Sequence, residues 1–382
     1  MKMKPAIVRL DVFVYRHASA RAVTTSFGVM RDRPAVFVRV EDHDGAFGWG
    51  EIFANWPSAG AEHRARLLME DIADLVLGTE LGEPSDLYRK LTRETHIRAL
   101  QSGEWGPFRQ VIAGLDIAVW DLFARRANMP LRNFLNPKAV SMVPAYASGI
   151  HIRTAAQDIK AAQLSGFTAF KVKVGFDLTQ DAADVNALAA NLAEGERLFA
   201  DANQAWDIAQ AMSFIDQTMK ARLGWLEEPI PADTSLDEWS RLANHSDVPL
   251  AGGENIVGLV EFASAIEAGA LSVFQPDVAK WGGITDCMTV AQAVLAANKT
   301  YCPHFLGGGI GLLASAHLLA AVGGKGTLEV DVNANPLRDM LAPISNSLHA
   351  GSWQLSNTPG LGIEIMPAHF DRIQTMHLVR RL

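Results

Sequence analysis

The last two thirds of the chain alternate between short apolar runs and longer segments with helical spacing of apolar residues. The short runs suit buried β-strands, because parallel strands between helices are apolar on both faces. They lie at 143–149, 169–175, 197–202, 224–229, 249–254, 271–277, 299–305 and 326–331. Segments such as 183–194, 259–269 and 286–298 have the helical spacing. Eight strand–helix units predict an α/β fold, a (β/α)₈-type barrel with parallel strands.

An open, doubly wound α/β sheet is the alternative fold for this alternation. Such a sheet carries a glycine-rich dinucleotide-binding sequence directly after its first strand. The chain has no such sequence there. The pattern therefore favours the barrel.

The first third of the chain is organised differently. Apolar residues alternate from Val8 to Val14, which predicts a first strand. The segments 35–42 and 45–52 flank turn signals and predict a hairpin. Helical spacing follows and is clearest in 111–127. We expect an α+β capping domain in this part of the chain.

Proline marks the predicted domain boundary. Pro130 and Pro137 interrupt the chain after the last helix of the capping domain. We therefore expect the capping domain at 1–130 and the barrel at 131–345. The irregular tail, 346–382, is expected to pack back on the capping domain.

Composition excludes several classes of protein. The 382 residues are 49% hydrophobic and 20% charged, which is ordinary for a globular protein. The net charge is −8 and no basic stripe is present, so we expect no nucleic-acid partner. The uncharged run 307–324 contains six glycines and predicts a loop and a buried helix, not a membrane span. Two cysteines fit a reducing, cytoplasmic compartment. We also expect a homo-oligomer.

Ionisable residues stand at the ends of seven of the predicted strands. They are Lys171, Lys173, Asp201, Glu227, Glu254, Asp277, His304 and Glu329. From Lys173 onward they are 23 to 28 residues apart, close to one strand–helix unit each. A single carboxylate at such a place is usually a helix N-cap, but this coincidence over successive strands indicates a site. We expect it at the C-terminal face of the barrel, where barrel active sites form.

The types of these residues indicate metal-assisted proton transfer. Asp201, Glu227 and Glu254 would repel one another without a cation, and three oxygen ligands suit Mg²⁺. Lys171 and Lys173 share one side of a strand, so each should lower the pKa of the other and make a base available.

A carboxylate–histidine pair stands at the other side of the predicted metal site. Asp277 can hold the imidazole of His304 in one tautomer and stabilise its charged form. Two proton-transfer groups then flank one metal ion. The predicted substrate is a small carboxylate that loses its α-proton to form a stabilised enediolate.

This arrangement resembles the mandelate racemase subgroup of the enolase superfamily. The similar motifs are AGLDIAVWDLFARRANMPL at 113–131, and KVK, DAN, EEP, GEN, QPD and CPH at the successive strand ends. The resemblance implies that Lys173 is a base, that Lys171 neutralises the substrate carboxylate, and that His304 acts from the opposite face. It implies that Glu329 bonds a carboxylate oxygen as the protonated acid. Asn203 and Asn255 are candidate substrate contacts.

Several reactions remain open at this point. Dehydration of an acid sugar or related hydroxy acid is the first hypothesis, because the resemblance makes it the common outcome. A racemase or epimerase is the alternative, with Lys173 and His304 each serving one face of the same carbon. A non-catalytic, carboxylate-binding barrel is the third.

Specificity is expected to come from loops of the capping domain, at 17–33 and 52–60. Trp56 in the second loop is a candidate substrate contact. The first loop contains three arginines that could bind a second carboxylate, namely Arg21, Arg31 and Arg33. Three ionisable residues are assigned structural or loop roles, namely Glu228, Lys280 and His317.

Overall fold

A computed structural model describes residues 4–382. The strands of the capping domain are β1 (Ile7–Thr25), β2 (Gly28–Asp42) and β3 (Phe47–Ile52). The barrel strands are β4 (Met142–His151), β5 (Ala169–Lys173), β6 (Arg197–Asp201), β7 (Leu226–Glu227), β8 (Leu250–Gly252), β9 (Val273–Phe274), β10 (Thr300–Tyr301) and β11 (Leu328–Asp331). The last strands are β12 (Leu348–His349), β13 (Ser352–Gln354) and β14 (Gln374–Arg381).

Helices cover the capping sheet and surround the barrel. The capping domain contains α1 (Gly60–Leu67), α2 (Ala73–Val76), α3 (Ser85–Ser102) and α4 (Trp105–Arg126), with a π-helical turn at Leu68–Ile72. The barrel part contains α5 (Leu131–Leu135), α6 (Ala155–Leu164), α7 (Leu178–Ala190), α8 (Ile208–Thr218), α9 (Leu236–His245), α10 (Leu259–Ala268), α11 (Gly283–Ala296), α12 (Gly309–Val322), α13 (Pro336–Asp339) and α14 (Ile344–Ser347).

The capping sheet is antiparallel, in the order β14–β1–β2–β3. The predicted hairpin is confirmed, since Val36–Glu41 pairs with Phe47–Ile52. The predicted first strand is confirmed with one difference. Its register shifts between Ile7 and Arg9, so Ile7 is fully buried and Val8 is not.

The segment 17–33 is not a loop, which corrects the prediction. It forms the far half of the β1–β2 hairpin, because β1 continues to Thr25 and β2 begins at Gly28. The β-branched run Val23–Thr25 favours this extended structure. At the tip, the Ser26 hydroxyl donates a hydrogen bond to the carbonyl of Asn203, at 2.9 Å. The hairpin therefore rests on the barrel.

Strands β4 to β11 form the predicted (β/α)₈ barrel. Neighbouring strands are parallel from β4 to β10, and β11 pairs in parallel with the other side of β4. Side-chain acceptors complete the ring between β10 and β11. The Thr327 amide lies 3.4 Å from Cys302 Sγ, and the Phe305 amide lies 3.1 Å from Glu329 Oε2. All eight predicted strands are present.

Alternate residues of each strand point into the barrel. The rings of Phe199 and Trp225 stack 3.6 Å apart, and Tyr146 meets Trp225 edge-on at 5.3 Å. This aromatic layer closes the N-terminal part of the interior. Lys171 and Lys173 follow in the same alternation on β5, so both side chains point inward above the aromatic layer.

Glu51, at the end of β3, fastens the capping domain to the barrel. Its carboxylate accepts hydrogen bonds from the amides of Gly308 and Gly311, at 2.5 and 2.8 Å. These amides belong to the N-cap and to the first turn of α12, where a carboxylate is favourable. Burial raises the pKa of Glu51 to about 7. The segment that follows His304 is therefore held by the capping domain.

The C-terminal segment contacts both domains. Strand β13 pairs antiparallel with β4, and β14 pairs antiparallel with β1 over residues 9–15. Within residues 4–382, no helix combines the length and the apolar character that crossing a membrane requires.

His317 is a buried residue of α12, as its assignment to a structural role predicted. Its Nδ1 accepts a hydrogen bond from the Arg132 amide at 3.0 Å, and burial lowers the pKa of the imidazole to about 3. Between pH 6.5 and about pH 3, His317 binds a proton in the unfolded chain but not in the folded chain. Stability should therefore fall as the pH falls, by about 1.4 kcal/mol per pH unit from this group.

We expect His317→Asn to reduce this acid sensitivity, because asparagine keeps an acceptor but does not titrate. Urea unfolding at pH 7 and pH 5 measures the difference for the wild type and the variant. The exposed His349 provides a control, since His349→Asn should retain the pH dependence of the wild type. Equal pH dependence in the wild type and His317→Asn would contradict the assignment.

Candidate active site

A cavity of about 530 Å³ opens where the barrel strands end, beneath the capping domain. The barrel contributes its polar wall, formed by Lys173, Asn203, Gln204, Glu254, Asn255, Lys280 and His304. The capping domain contributes a largely apolar wall, which includes Phe27, Met30, Phe53, Trp56 and Pro57. The cavity therefore has a charged floor and an apolar roof.

Lys171 lies below the cavity and is fully buried. Its Nζ lies 2.7 Å from Glu227 Oε1 and 2.8 Å from Glu329 Oε1, and the Tyr146 ring centre is 5.6 Å away. Burial acts to lower the pKa of Lys171, but the charges of Glu227 and Glu329 outweigh it and raise the pKa well above its usual value. Lys171 is thus an enclosed cation that holds two carboxylates together.

Lys173 lines the cavity, and its Nζ lies 2.5 Å from Asp201 Oδ2. Burial and the charge of Lys171 both act to lower the pKa of Lys173. The charge of Asp201 outweighs them, and the net pKa is raised. The expected effect of the lysine pair is present, but the expectation of a lowered net pKa is wrong because the nearest neighbour of Lys173 is a carboxylate.

Asp201, Glu227 and Glu254 follow one another on adjacent strands. Asp201 and Glu227 are register partners across β6 and β7, and Glu254 lies just beyond β8. Burial, reinforced by the charge of Asp201, raises the pKa of Glu227 to about 7. Burial also acts to raise the pKa of Asp201 and of Glu254. The charge of Lys173 outweighs burial at Asp201, and the charge of His304 outweighs it at Glu254, so both pKa values are lowered. Facing cations therefore stabilise a cluster of buried carboxylates.

His304 and Asp277 form the predicted pair. His304 Nδ1 lies 2.8 Å from Asp277 Oδ2, and His304 Nε2 lies 2.8 Å from Glu254 Oε2. Burial acts to lower the pKa of His304, but Glu254 and Glu329 outweigh it and raise the pKa well above its usual value. The imidazolium form, with both ring nitrogens donating, matches these contacts.

The surroundings of Glu329 favour its ionised form, which is opposite to the expectation of a protonated acid. Its carboxylate accepts hydrogen bonds from the Ser148 hydroxyl at 2.5 Å and from the Phe305 amide at 3.1 Å. Burial acts to raise its pKa, but Lys171 and His304 outweigh burial and the pKa is lowered.

The three candidate substrate contacts all line the cavity. Asn203 Oδ1 is buried and has no hydrogen-bond partner within the described part of the chain. Asn255 is already engaged, because its amide group donates to Glu228 at 2.9 Å and accepts from Lys280 at 2.6 Å. Trp56 meets the Phe27 ring edge-on at 5.7 Å. Asn203 and Trp56 are therefore open toward a ligand, and Asn255 acts through its neighbours.

Lys280 is the main functional candidate that sequence reasoning missed. It lies in the turn before α11, as its assignment to a loop predicted, but its side chain reaches the cavity. Its position in the sequence did not indicate this role, because Lys280 lies three residues after Asp277, the residue that ends the predicted strand. Gln275 was missed as well, and its side-chain amide donates to Glu227 at 2.7 Å.

The three arginines of the β1–β2 hairpin do not line the cavity. Arg33 is buried and bonds Asp331 at 2.6 Å. Arg21 contacts Asp158 of α6 at 3.3 Å, and Arg31 is exposed. The hairpin therefore does not present an arginine to a second carboxylate, contrary to the hypothesis.

The donor chemistry of the carboxylate cluster fits a hard divalent cation. Within residues 4–382, no group of three or more His, Cys, Asp or Glu side chains is arranged to hold a metal ion as it stands. The three carboxylates bond lysine and histidine instead. They nevertheless form an all-oxygen set of buried anions, which suits Mg²⁺. The unpartnered Asn203 oxygen beside Asp201 further indicates a place for a donor such as a water or hydroxyl.

Two family models match the chain. The model described as Mandelate racemase / muconate lactonizing enzyme, N-terminal domain, matches residues 9–136. The model described as Enolase C-terminal domain-like matches residues 153–369, more than half of the chain. The chain belongs to the mandelate racemase/muconate lactonizing enzyme family of the enolase superfamily. It is an enzyme, and the resemblance inferred from its sequence motifs is confirmed.

Two characterised relatives are acid-sugar enzymes. The 3,6-anhydro-α-L-galactonate cycloisomerase of Streptomyces coelicolor is 31% identical over 304 residues, which cover 78% of this chain and 82% of that enzyme. The arabinonate dehydratase of Saccharolobus solfataricus is 28% identical over 343 residues, covering 88% of this chain and 89% of that enzyme. These two relatives thus include both an isomerase and a lyase.

Two solved structures share the whole architecture. A mandelate racemase/muconate lactonizing enzyme from Bordetella bronchiseptica is 44% identical, with a TM-score of 0.91 over 97% of this chain and 99% of that chain. A racemase from Streptomyces coelicolor with bound magnesium is 26% identical, with a TM-score of 0.85 over 97% of this chain and 100% of that chain. The capping domain and barrel are therefore the family's fold.

Proposed function

We propose that the enzyme removes the α-proton of a carboxylate substrate and then eliminates water, as a dehydratase of an acid sugar or related hydroxy acid. The observation that carries this proposal is the pair of proton-transfer groups at the carboxylate cluster. Lys173 contacts Asp201, His304 contacts Glu254, and both side chains line the same cavity. The arabinonate dehydratase relative supports the choice of reaction.

Mg²⁺ is the proposed cofactor, held by Asp201, Glu227 and Glu254. When bound it supplies positive charge that stabilises the negative charge developing on the substrate carboxylate. The magnesium bound in the Streptomyces coelicolor racemase supports this choice.

The residues of this chain then divide the proton transfers between them. With Asp201 engaged as a metal ligand, the charge that raises the pKa of Lys173 would be compensated. Lys173, in its neutral form, then accepts the α-proton, and the electron pair of the broken C–H bond forms the new double bond. The β-carbon–oxygen bond breaks as His304 donates its proton to the departing hydroxyl, which leaves as water. Asp277 holds the imidazole in position for this transfer. Asn203 is proposed to bind a substrate hydroxyl through its unpartnered oxygen.

Racemisation or epimerisation is the second candidate reaction. It is favoured by the position of the two groups, since Lys173 comes from β5 and His304 follows β10. Each could serve one face of the same carbon. A barrel that only binds carboxylates remains the third candidate. A homo-oligomeric state and a cytoplasmic location stay predictions.

Incubation in heavy water separates these reactions. We expect one member of a panel of acid sugars and hydroxy acids to lose water and give a 2-oxo-3-deoxy product, read as a semicarbazone. Retention of all oxygens together with deuterium at the α-carbon would replace dehydration by racemisation or epimerisation. If binding is detected without any exchange or turnover, the catalytic proposal is wrong.

A further inference from the structure

Lys280 brings an additional cation to the cavity wall beside His304. Its Nζ lies 3.6 Å from Glu254 Oε2, the same oxygen atom that His304 Nε2 approaches at 2.8 Å. The side chain is only 18% exposed. Proton transfer by Lys173 and His304 does not use this lysine, so its charge needs another explanation.

The lysine side chain is held in place by groups on two sides. Asn255 Oδ1 accepts a hydrogen bond from its Nζ at 2.6 Å, and the Asn255 amide nitrogen is anchored on Glu228 at 2.9 Å. On the other side, the Phe53 ring centre lies 5.4 Å from the ammonium. An ammonium is favourable over an aromatic face. Contacts from both the barrel and the capping domain therefore hold the ammonium group in position.

The backbone of the lysine is fixed as well. Asp277 Oδ1 accepts hydrogen bonds from the amides of Ala279 and Lys280, at 2.8 and 3.1 Å. The carbonyl of Ala279 accepts a hydrogen bond from the Phe53 amide at 3.2 Å. The same aspartate that orients His304 thus also fixes the turn that carries Lys280.

Among the described residues, Glu254 is the carboxylate that forms an ion pair with Lys280, so this pair is weakened when Glu254 serves the metal. Glu228 is linked to Lys280 only through the Asn255 amide. The second partner of Lys280, Asn255, is a neutral amide. A mostly buried ammonium in that position attracts an anion from the cavity. The amides of Asn203 and Gln204 on the same wall suit hydroxyl groups instead.

The other basic residues near this end of the barrel already have partners. Lys171 is enclosed by Glu227 and Glu329 below the cavity. Arg33 bonds Asp331, away from the cavity. Among the described residues that line the cavity, Lys173 and His304 are assigned to proton transfer, so Lys280 is the remaining cation for a second anionic group of the substrate.

We propose that Lys280 binds the second carboxylate of a dicarboxylic hydroxy acid, and so makes the enzyme prefer aldarates over aldonates. This inference rests on the proposed function, because it presumes a metal at Glu254 and reaction at the first carboxylate. Lys280 acts here as a specificity-determining residue that contacts the substrate.

Galactarate and galactonate test the proposal, because they differ in whether the sixth carbon is a carboxylate. Binding of each probe is measured by calorimetry at saturating Mg²⁺ in Lys173→Met protein, which prevents turnover. Adding Lys280→Met should weaken galactarate binding at least about 30-fold, the scale expected for losing one partner of a buried charge pair. Galactonate binding should change less than about threefold, since that ligand has no second charge. Other aldarate and aldonate pairs of equal configuration extend the panel.

Two control variants keep the result interpretable. Lys280→Arg retains the charge and should keep most of the preference for the dicarboxylate. Lys325→Met removes an exposed lysine outside the cavity and should leave the binding of both ligands unchanged. Thermal unfolding of each variant shows whether it is folded.

The outcomes also separate this inference from the proposed function. If Lys280→Met weakens the binding of both ligands equally, or of neither, Lys280 does not bind a second carboxylate. If the wild type turns over aldonates alone, the inference fails and proton abstraction stands. If the wild type exchanges the α-proton of no acid in the panel, the proposed function itself fails.

Discussion

Replacing Lys173 with methionine should lower kcat/KM for the substrate by about 10³-fold or more, the scale of a lost general base. Methionine fills a similar volume but cannot accept the α-proton. Lys173 lines the cavity, whereas Lys171 is enclosed by carboxylates, so Lys171 cannot take over this role. Exchange of the α-hydrogen with heavy water, followed by NMR, measures the step directly.

Two further variants control this experiment. Lys173→Arg keeps the positive charge beside Asp201 but not the base, and should be about as inactive as Lys173→Met. The exposed Lys325→Met should behave like the wild type. Full exchange activity in Lys173→Met would assign the proton abstraction to another group, with His304 the first candidate.

Replacing Asp201 with asparagine should remove the stabilisation of the fold by Mg²⁺ and lower activity by about 10²-fold or more. In the wild type, Mg²⁺ at 100 times its dissociation constant should raise the free energy of unfolding by about 2.7 kcal/mol. EDTA should reverse this gain. The variant loses one of the three proposed negative ligands, so its thermal midpoint should hardly respond to Mg²⁺.

The Mg²⁺-dependent shift is the decisive quantity, because Asp201→Asn also deprives Lys173 of its partner and changes stability without metal. The exposed Glu194 lies outside the cavity, and Glu194→Gln should keep the full shift. An unchanged Mg²⁺ response in Asp201→Asn would show that the ion binds elsewhere.

The positions of the ionisable residues along the chain were sufficient to predict that their side chains lie together in the fold. Each barrel strand ends at the same face, so residues spaced by one strand–helix unit are brought together by the fold itself. Asp201 and Glu227 illustrate this, since they prove to be register partners on neighbouring strands. The pairing of His304 with Asp277 follows in the same way.

Contacts between segments that are distant in the sequence could not be predicted from the residue pattern. The segment 17–33 was predicted to be a loop, although its strands pair with each other and its tip contacts Asn203. Lys280 was missed, because only the turn formed by Asp277 and the packing of Phe53 direct its side chain to the cavity.

The sequence by itself determined the barrel, the capping domain and the set of residue types at the site, because strand period and unit spacing are local properties. The tertiary structure decided their electrostatic state. It placed Lys173 against Asp201 and enclosed Glu329 with donors, so both pKa shifts are opposite to the expectation. These signs depend on distances of a few ångströms between different strands, which no spacing along the chain specifies.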